Sequence, residues 1–166
     1  SLAFFSGGKL RRVALDGGGT LTVADALTEW DPEKVRIIHI TGKSEYEPVA
    51  AALGRSGIEH YVSPFCQRME LAYELADLAI ARSGASSLTE LAAFGIPSIL
   101  IPYPFAAEDH QTRNAEQMAA AGAALIIQEC ELSAASLAAS LRDWLTTRAR
   151  LQAQAEKARA LAIPDA

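Results

Sequence analysis

Short apolar runs alternate with longer amphipathic stretches along almost the whole chain, and this alternation constrains the fold more than any other feature. Arg12–Asp16 (RVALD), Val35–Thr41 (VRIIHIT), His60–Ser63, Leu78–Ala81, Ser98–Pro102 (SILIP) and Ala124–Gln128 (ALIIQ) have the length and composition of buried strands. Between them the spacing predicts helices over 21–30, 44–56, 67–76, 86–95, 110–121 and 133–146, with a last Ala-, Arg- and Gln-rich helix over 147–162. Strands that are apolar nearly throughout need cover on both faces, which a parallel sheet with crossover helices supplies. The expectation is an α/β fold, a Rossmann-like parallel sheet of about six strands with helices on both faces. No repeat, low-complexity tract or linker interrupts residues 1–166, so a single domain is expected.

Bulk properties narrow the partners. A chain of 166 residues is long enough to bury a core. Its net charge of −5 gives a nucleic acid no electrostatic footing, and Lys9, Arg11 and Arg12 form only a short solvated cluster. Cys66 and Cys130 lie far apart without a CxxC pattern, as expected of reduced thiols in a cytosolic protein. No apolar run approaches the ~20 residues of a membrane span, and no signal peptide is evident at Ser1. There is no Asp-x-Asp and no His/Cys cluster, so neither metal nor cofactor is implied. Without an initiator Met, and stopping at Ala166, the chain is expected to be a fragment or an excised domain.

Several segments sit where a parallel sheet binds ligands, beyond the carboxyl ends of its strands. Asp16-Gly17-Gly18-Gly19-Thr20 follows a strand and precedes a helix, and Gly18 and Gly19 allow close backbone approach to a phosphate. The same glycines also suit a plain tight turn, and Ser6-Gly7-Gly8 is a poorer second candidate. Thr41-Gly42-Lys43-Ser44 has the end of a Walker A loop, but position 37 is Ile37 where its first glycine belongs, which excludes a phosphate wrap of that kind. Phe65 and Cys66 follow the third strand, either as an apolar slot for a flat ring or as a strand–helix corner of the core.

Arg82-Ser83-Gly84-Ala85-Ser86-Ser87 is a small-residue turn opening a helix whose first amides lack intrahelical partners, a natural diphosphate cradle. Ser86 and Ser87 suit either phosphate contact or helix capping, and Arg82 either a phosphate or a neighbouring acid. Glu90 stands one turn further on an otherwise apolar helix, as a ligand acceptor or an exposed charge. Pro102 through Asn114 forms a polar loop running into a helix. Gln111 and Asn114 share a helical face there, Asp109 fits an N-cap as well as a ligand contact, and His110 is either a general base or half of a surface pair with Asp109.

The run RSGASSLTELAAFGIPSILIPYPFAAEDHQTRNAEQMAAAGAALII (Arg82–Ile127) resembles the nucleotide-sugar-binding segment of the MurG-type glycosyltransferases of family 28. The likeness spans roughly Val35 to Ala166. It implies the C-terminal half of a two-domain GT-B enzyme that moves N-acetylglucosamine from UDP-GlcNAc onto a lipid-linked muramyl-pentapeptide in peptidoglycan biosynthesis. It implies that Phe65 and Cys66 frame uracil, that Arg82 to Ser87 meet the diphosphate, and that Glu90 takes the ribose hydroxyls. Asp109, Gln111 and Asn114 then face the sugar. The family's GGS-x-G-A pattern is half matched by Gly17-Gly18-Gly19, with Leu21 and Thr22 replacing its later small residues. The resemblance places the catalytic base and the lipid-acceptor site in an N-terminal domain beyond this chain, and the full enzyme on the inner face of the bacterial membrane. The isolated domain is then expected to bind UDP and UDP-GlcNAc without turnover. The alternatives are a free-standing donor subunit, a UDP-sugar epimerase or a nucleotide-binding regulatory module.

Overall fold

The computed structural model describes residues 2–5, 36–105, 109–145 and 148–162. Six strands form one sheet: β1 Leu2–Phe5, β2 Arg36–Ile40, β3 Glu59–Ser63, β4 Leu78–Ala81, β5 Ser98–Leu100 and β6 Ala124–Ile126, in the order β3-β2-β1-β4-β5-β6. Six α-helices accompany them: α1 Tyr46–Arg55, α2 Met69–Glu74, α3 Ala85–Phe94, α4 His110–Ala120, α5 Ala134–Leu145 and α6 Arg148–Arg159. A 3₁₀ turn, Glu129–Glu131, follows β6.

The sheet is mixed where a wholly parallel one was expected. β2 pairs with β3, β4 with β5, and β5 with β6, all parallel. β1 lies between these two blocks and runs antiparallel to both neighbours, with Ala3 opposite His39 on one side and Ile80 on the other. The expected strand Arg12–Asp16 and helix 21–30 lie outside the described residues.

Alternation along the buried strands sorts the core into two layers. Leu78 and Ile80 point to one face, where Val49 and Leu53 of α1 and Leu137, Leu141 and Trp144 of α5 cover them. Ala79 and Ala81 point to the other, against Tyr73, Leu88, Leu91, Ala115, Met118 and Ala158 from α2, α3, α4 and α6. All four β4 side chains are fully buried, so the sequence LAIA places large groups on one face and small ones where α3 packs close. Burial of each large aliphatic side chain contributes about 1.5–3 kcal/mol.

Helix ends are set by local chemistry. Gly95 ends α3 in the left-handed region (φ 64°), with its amide and that of Ile96 bonded back to Ala92 and Leu91. A Cβ on Gly95 would also meet the Arg159 side chain of α6 at 2.3 Å, so that side chain would have to move aside.

Candidate functional site

The turn leaving β4 and the loop leaving β5 are laced together at the carboxyl edge of the sheet. Ser83, fully buried, donates its hydroxyl to the Gln111 carbonyl at 2.6 Å. Asn114 donates from Nδ2 to the Ser83 carbonyl at 3.1 Å, and Gln111 Oε1 accepts the Tyr103 amide at 3.0 Å. Arg82 donates from Nη1 to the carbonyls of Ile101 and Pro102, each at 3.2 Å, and pairs with Glu129 beyond β6. Its guanidinium carbon lies 5.5 Å from the centroid of the Tyr103 ring. Three successive β–α connections are therefore tied around one edge.

At the centre of this network α3 begins. Gly84 is its N-cap, in extended geometry with no side-chain cap, and the first intrahelical bond is Leu88 amide to Gly84 carbonyl at 3.0 Å. The amides of Ala85, Ser86 and Ser87 precede that bond and carry the positive end of the helix dipole. Neither Ser86 nor Ser87 is the cap, so the capping alternative for them is withdrawn; both lie within the first helical turn. A Cβ built on Gly84 meets nothing within 4 Å, and its φ of −65° demands no glycine. Glycine is a favoured N-cap residue, and the open space beside it also leaves the backbone accessible to close approach.

Of the other expected residues, Phe65 is 70 % exposed, which removes its core alternative. With the half-buried Cys66 it lines a pocket of about 520 Å³ bounded also by Ile38, Tyr61, Leu71 and Leu75. Glu90 is exposed on α3 and accepts a hydrogen bond from the Tyr73 hydroxyl, a residue the sequence reading did not single out. Asp109 occupies the N-cap position of α4 but in the left-handed region (φ 56°) without a capping bond; its carboxylate accepts the Thr112 hydroxyl at 2.6 Å instead. His110 is exposed at the first turn of α4. Gly18 and Gly19 lie outside the described residues. Among the described residues no three His, Cys, Asp or Glu side chains gather as a metal would need, and no helix is long and apolar enough to cross a membrane. Cys66 and Cys130 are free thiols.

An uncapped helix N-terminus beside a side-chain-braced loop at the carboxyl edge of an α/β sheet is the kind of edge at which this class of domain binds anionic ligands. The comparisons carry that class to a family. Residues 18–166 match the glycosyltransferase family 28 C-terminal domain, and the chain belongs to this family. A UDP-N-acetylglucosamine–N-acetylmuramyl-(pentapeptide) pyrophosphoryl-undecaprenol N-acetylglucosamine transferase of Methylococcus capsulatus is 43% identical over 144 residues, covering 87% of this chain and 41% of its own length. The protein of the same name from Pseudomonas savastanoi pv. phaseolicola is 39% identical over 170 residues, covering 97% of this chain and 47% of that protein. The crystal structure of Acinetobacter baumannii MurG superposes with a TM-score of 0.82 at 32% identity, over 95% of this chain and 49% of that one. The glycosyltransferase VinC, solved with dTDP, has a TM-score of 0.69 at 19% identity, a likeness of fold alone. The chain thus spans somewhat less than half the length of the curated relatives it matches.

Proposed function

We propose that this chain is the donor domain of a hexosyltransferase, binding UDP-GlcNAc for transfer of GlcNAc to a lipid-linked muramyl-pentapeptide in peptidoglycan synthesis. The observation that carries the reading is the Ser83–Gln111–Asn114 interlock, which sets the uncapped start of α3 against the β5–α4 loop. Such a start suits a diphosphate, whose charge grows as the glycosidic bond to the leaving UDP breaks. Donors fixed in advance stabilise that charge without reorganising. Phe65 and Cys66 offer an apolar slot for uracil, Glu90 an acceptor for the ribose hydroxyls, and Gln111 an amide for the sugar.

The acceptor hydroxyl must also lose a proton to a general base. The chain spans 41% and 47% of two such relatives, and this reading assigns the base and the lipid-acceptor site to the part of the enzyme outside these residues. The full-length enzyme would then work at the cytoplasmic face of the membrane where its lipid-linked acceptor lies. Calorimetric titration with UDP, UDP-GlcNAc and ADP tests the proposal. UDP should bind more tightly than ADP, because a slot shaped to a pyrimidine edge rejects a purine. Equal affinity for the two would refute the uridine assignment.

A further inference from the structure

The carboxylate assigned to the ribose is held by a residue on another helix. Glu90 lies exposed on α3, where a long acidic side chain samples several rotamers. One of its oxygens, Oε2, accepts the hydroxyl of Tyr73, 17 residues earlier on α2. Tyr73 is itself immobilised: it is 3% exposed, and its ring packs against Phe94 with centroids 5.2 Å apart and planes at 33°. A fixed phenol thus meets a mobile carboxylate, so the bond orders Glu90 rather than Tyr73. Moreover, α2 follows directly on the Phe65–Cys66 loop and supplies Leu71 and Ala72 to the same pocket.

We infer that Tyr73 is a positioning residue for ribose recognition. Its hydroxyl occupies Oε2 of Glu90 and leaves Oε1 to accept the hydroxyls of a nucleotide's ribose. Because Tyr73 belongs to the helix that carries the base pocket, base and ribose are read by one rigid unit. This rests on the proposed UDP-sugar reading, from which it makes one separate demand: discrimination between ribose and deoxyribose depends on a residue that touches neither.

The test compares UDP with 2′,3′-dideoxyuridine diphosphate by calorimetry on the unaltered chain, Tyr73→Phe, Glu90→Ala and the double variant. Tyr73→Phe keeps the ring and its packing on Phe94. The unaltered chain should favour UDP. Tyr73→Phe should lower UDP affinity about five- to tenfold, the worth of one hydrogen bond, and leave the dideoxy affinity unchanged. In the Glu90→Ala background the same substitution should change nothing further, because a positioning residue without its target has no effect. Should Tyr73→Phe fold poorly, Glu90→Asp withdraws the carboxylate by one methylene at an exposed site and should collapse the same ratio. Equal weakening of both nucleotides would assign Tyr73 a purely structural role, and a retained ratio in a folded variant would overturn the positioning. A chain that never distinguishes the two nucleotides would overturn the ribose assignment of Glu90 along with it.

Discussion

Replacing Arg82 by Met separates a residue that builds the site from one that contacts the ligand. The Arg82 side chain is 11% exposed and spends Nη1 on the carbonyls of Ile101 and Pro102 and on the Glu129 carboxylate. Nη1 carries two hydrogens and Glu129 takes one, so the two carbonyls, both at 3.2 Å, share the other and contribute about 0.5–1 kcal/mol together. The charge-assisted bond to Glu129 contributes about 1.5–3 kcal/mol in a dry setting. Glu129 is 35% exposed, so water takes back part of that. The net loss expected is about 1.5–3 kcal/mol, or a fall in Tm of roughly 3–12 °C for a chain of this size. Glu129→Gln keeps a partner for the guanidinium and should cost under about 1 kcal/mol. Urea unfolding followed by circular dichroism measures both. If Arg82→Met were as stable as the unaltered chain and lost only UDP binding, Arg82 would be a phosphate ligand and the clamp described above would be wrong.

Three further outcomes follow from the site. Gly84→Ala should leave Tm unchanged, since its Cβ meets open space, yet weaken UDP binding at least about tenfold by standing where the diphosphate approaches; calorimetry beside thermal melts reads both, and unaltered binding would remove the phosphate from this turn. Phe65→Ala should likewise be neutral in stability, because the ring is 70 % exposed, and lower UDP affinity by about 1–3 kcal/mol; a large loss of stability would contradict the open pocket. Gln111→Ala should weaken UDP-GlcNAc more than UDP, whereas Asn114→Ala, which releases the Ser83 carbonyl from its only side-chain donor among the described bonds, should weaken both by about 1 kcal/mol; equal effects of Gln111→Ala on the two ligands would move the sugar elsewhere.

Local signals in the chain were sufficient wherever a single element's own chemistry sets the outcome. β4 falls at Leu78–Ala81 as expected, because four apolar residues bounded by polar ones leave no other register. α3 was expected over 86–95 and spans Ala85–Phe94, ended by a glycine in the left-handed conformation that glycine adopts without strain. β5 stops at Leu100, short of the expected Pro102, since proline has no amide to pair. The turn opening α3 at Arg82–Ser87 was legible for the same reason: a small-residue run between a buried strand and a helix leaves amides uncovered.

Whatever depends on two distant segments meeting had to await the tertiary structure. Nothing in LAFF marks it as the strand between β2 and β4, or as antiparallel to both, because strand order is decided by pairing and not by periodicity. Arg82 could be read as a phosphate ligand or as half of an ion pair until Glu129, 47 residues later, was found beside it. Asp109 had the sequence of a cap, yet its left-handed backbone turns the carboxylate toward Thr112. Tyr73 gave no signal at all: an aromatic on a short amphipathic helix reads as core, and only the packing of α2 on α3 brings its hydroxyl to Glu90. Residue type and spacing along the chain therefore determined the elements and the turn with uncovered amides that is proposed to meet the ligand. Which side chains brace that edge was decided by contacts across 17 to 47 residues of sequence, because a side chain's partner is a matter of proximity in space and local pattern carries no record of it.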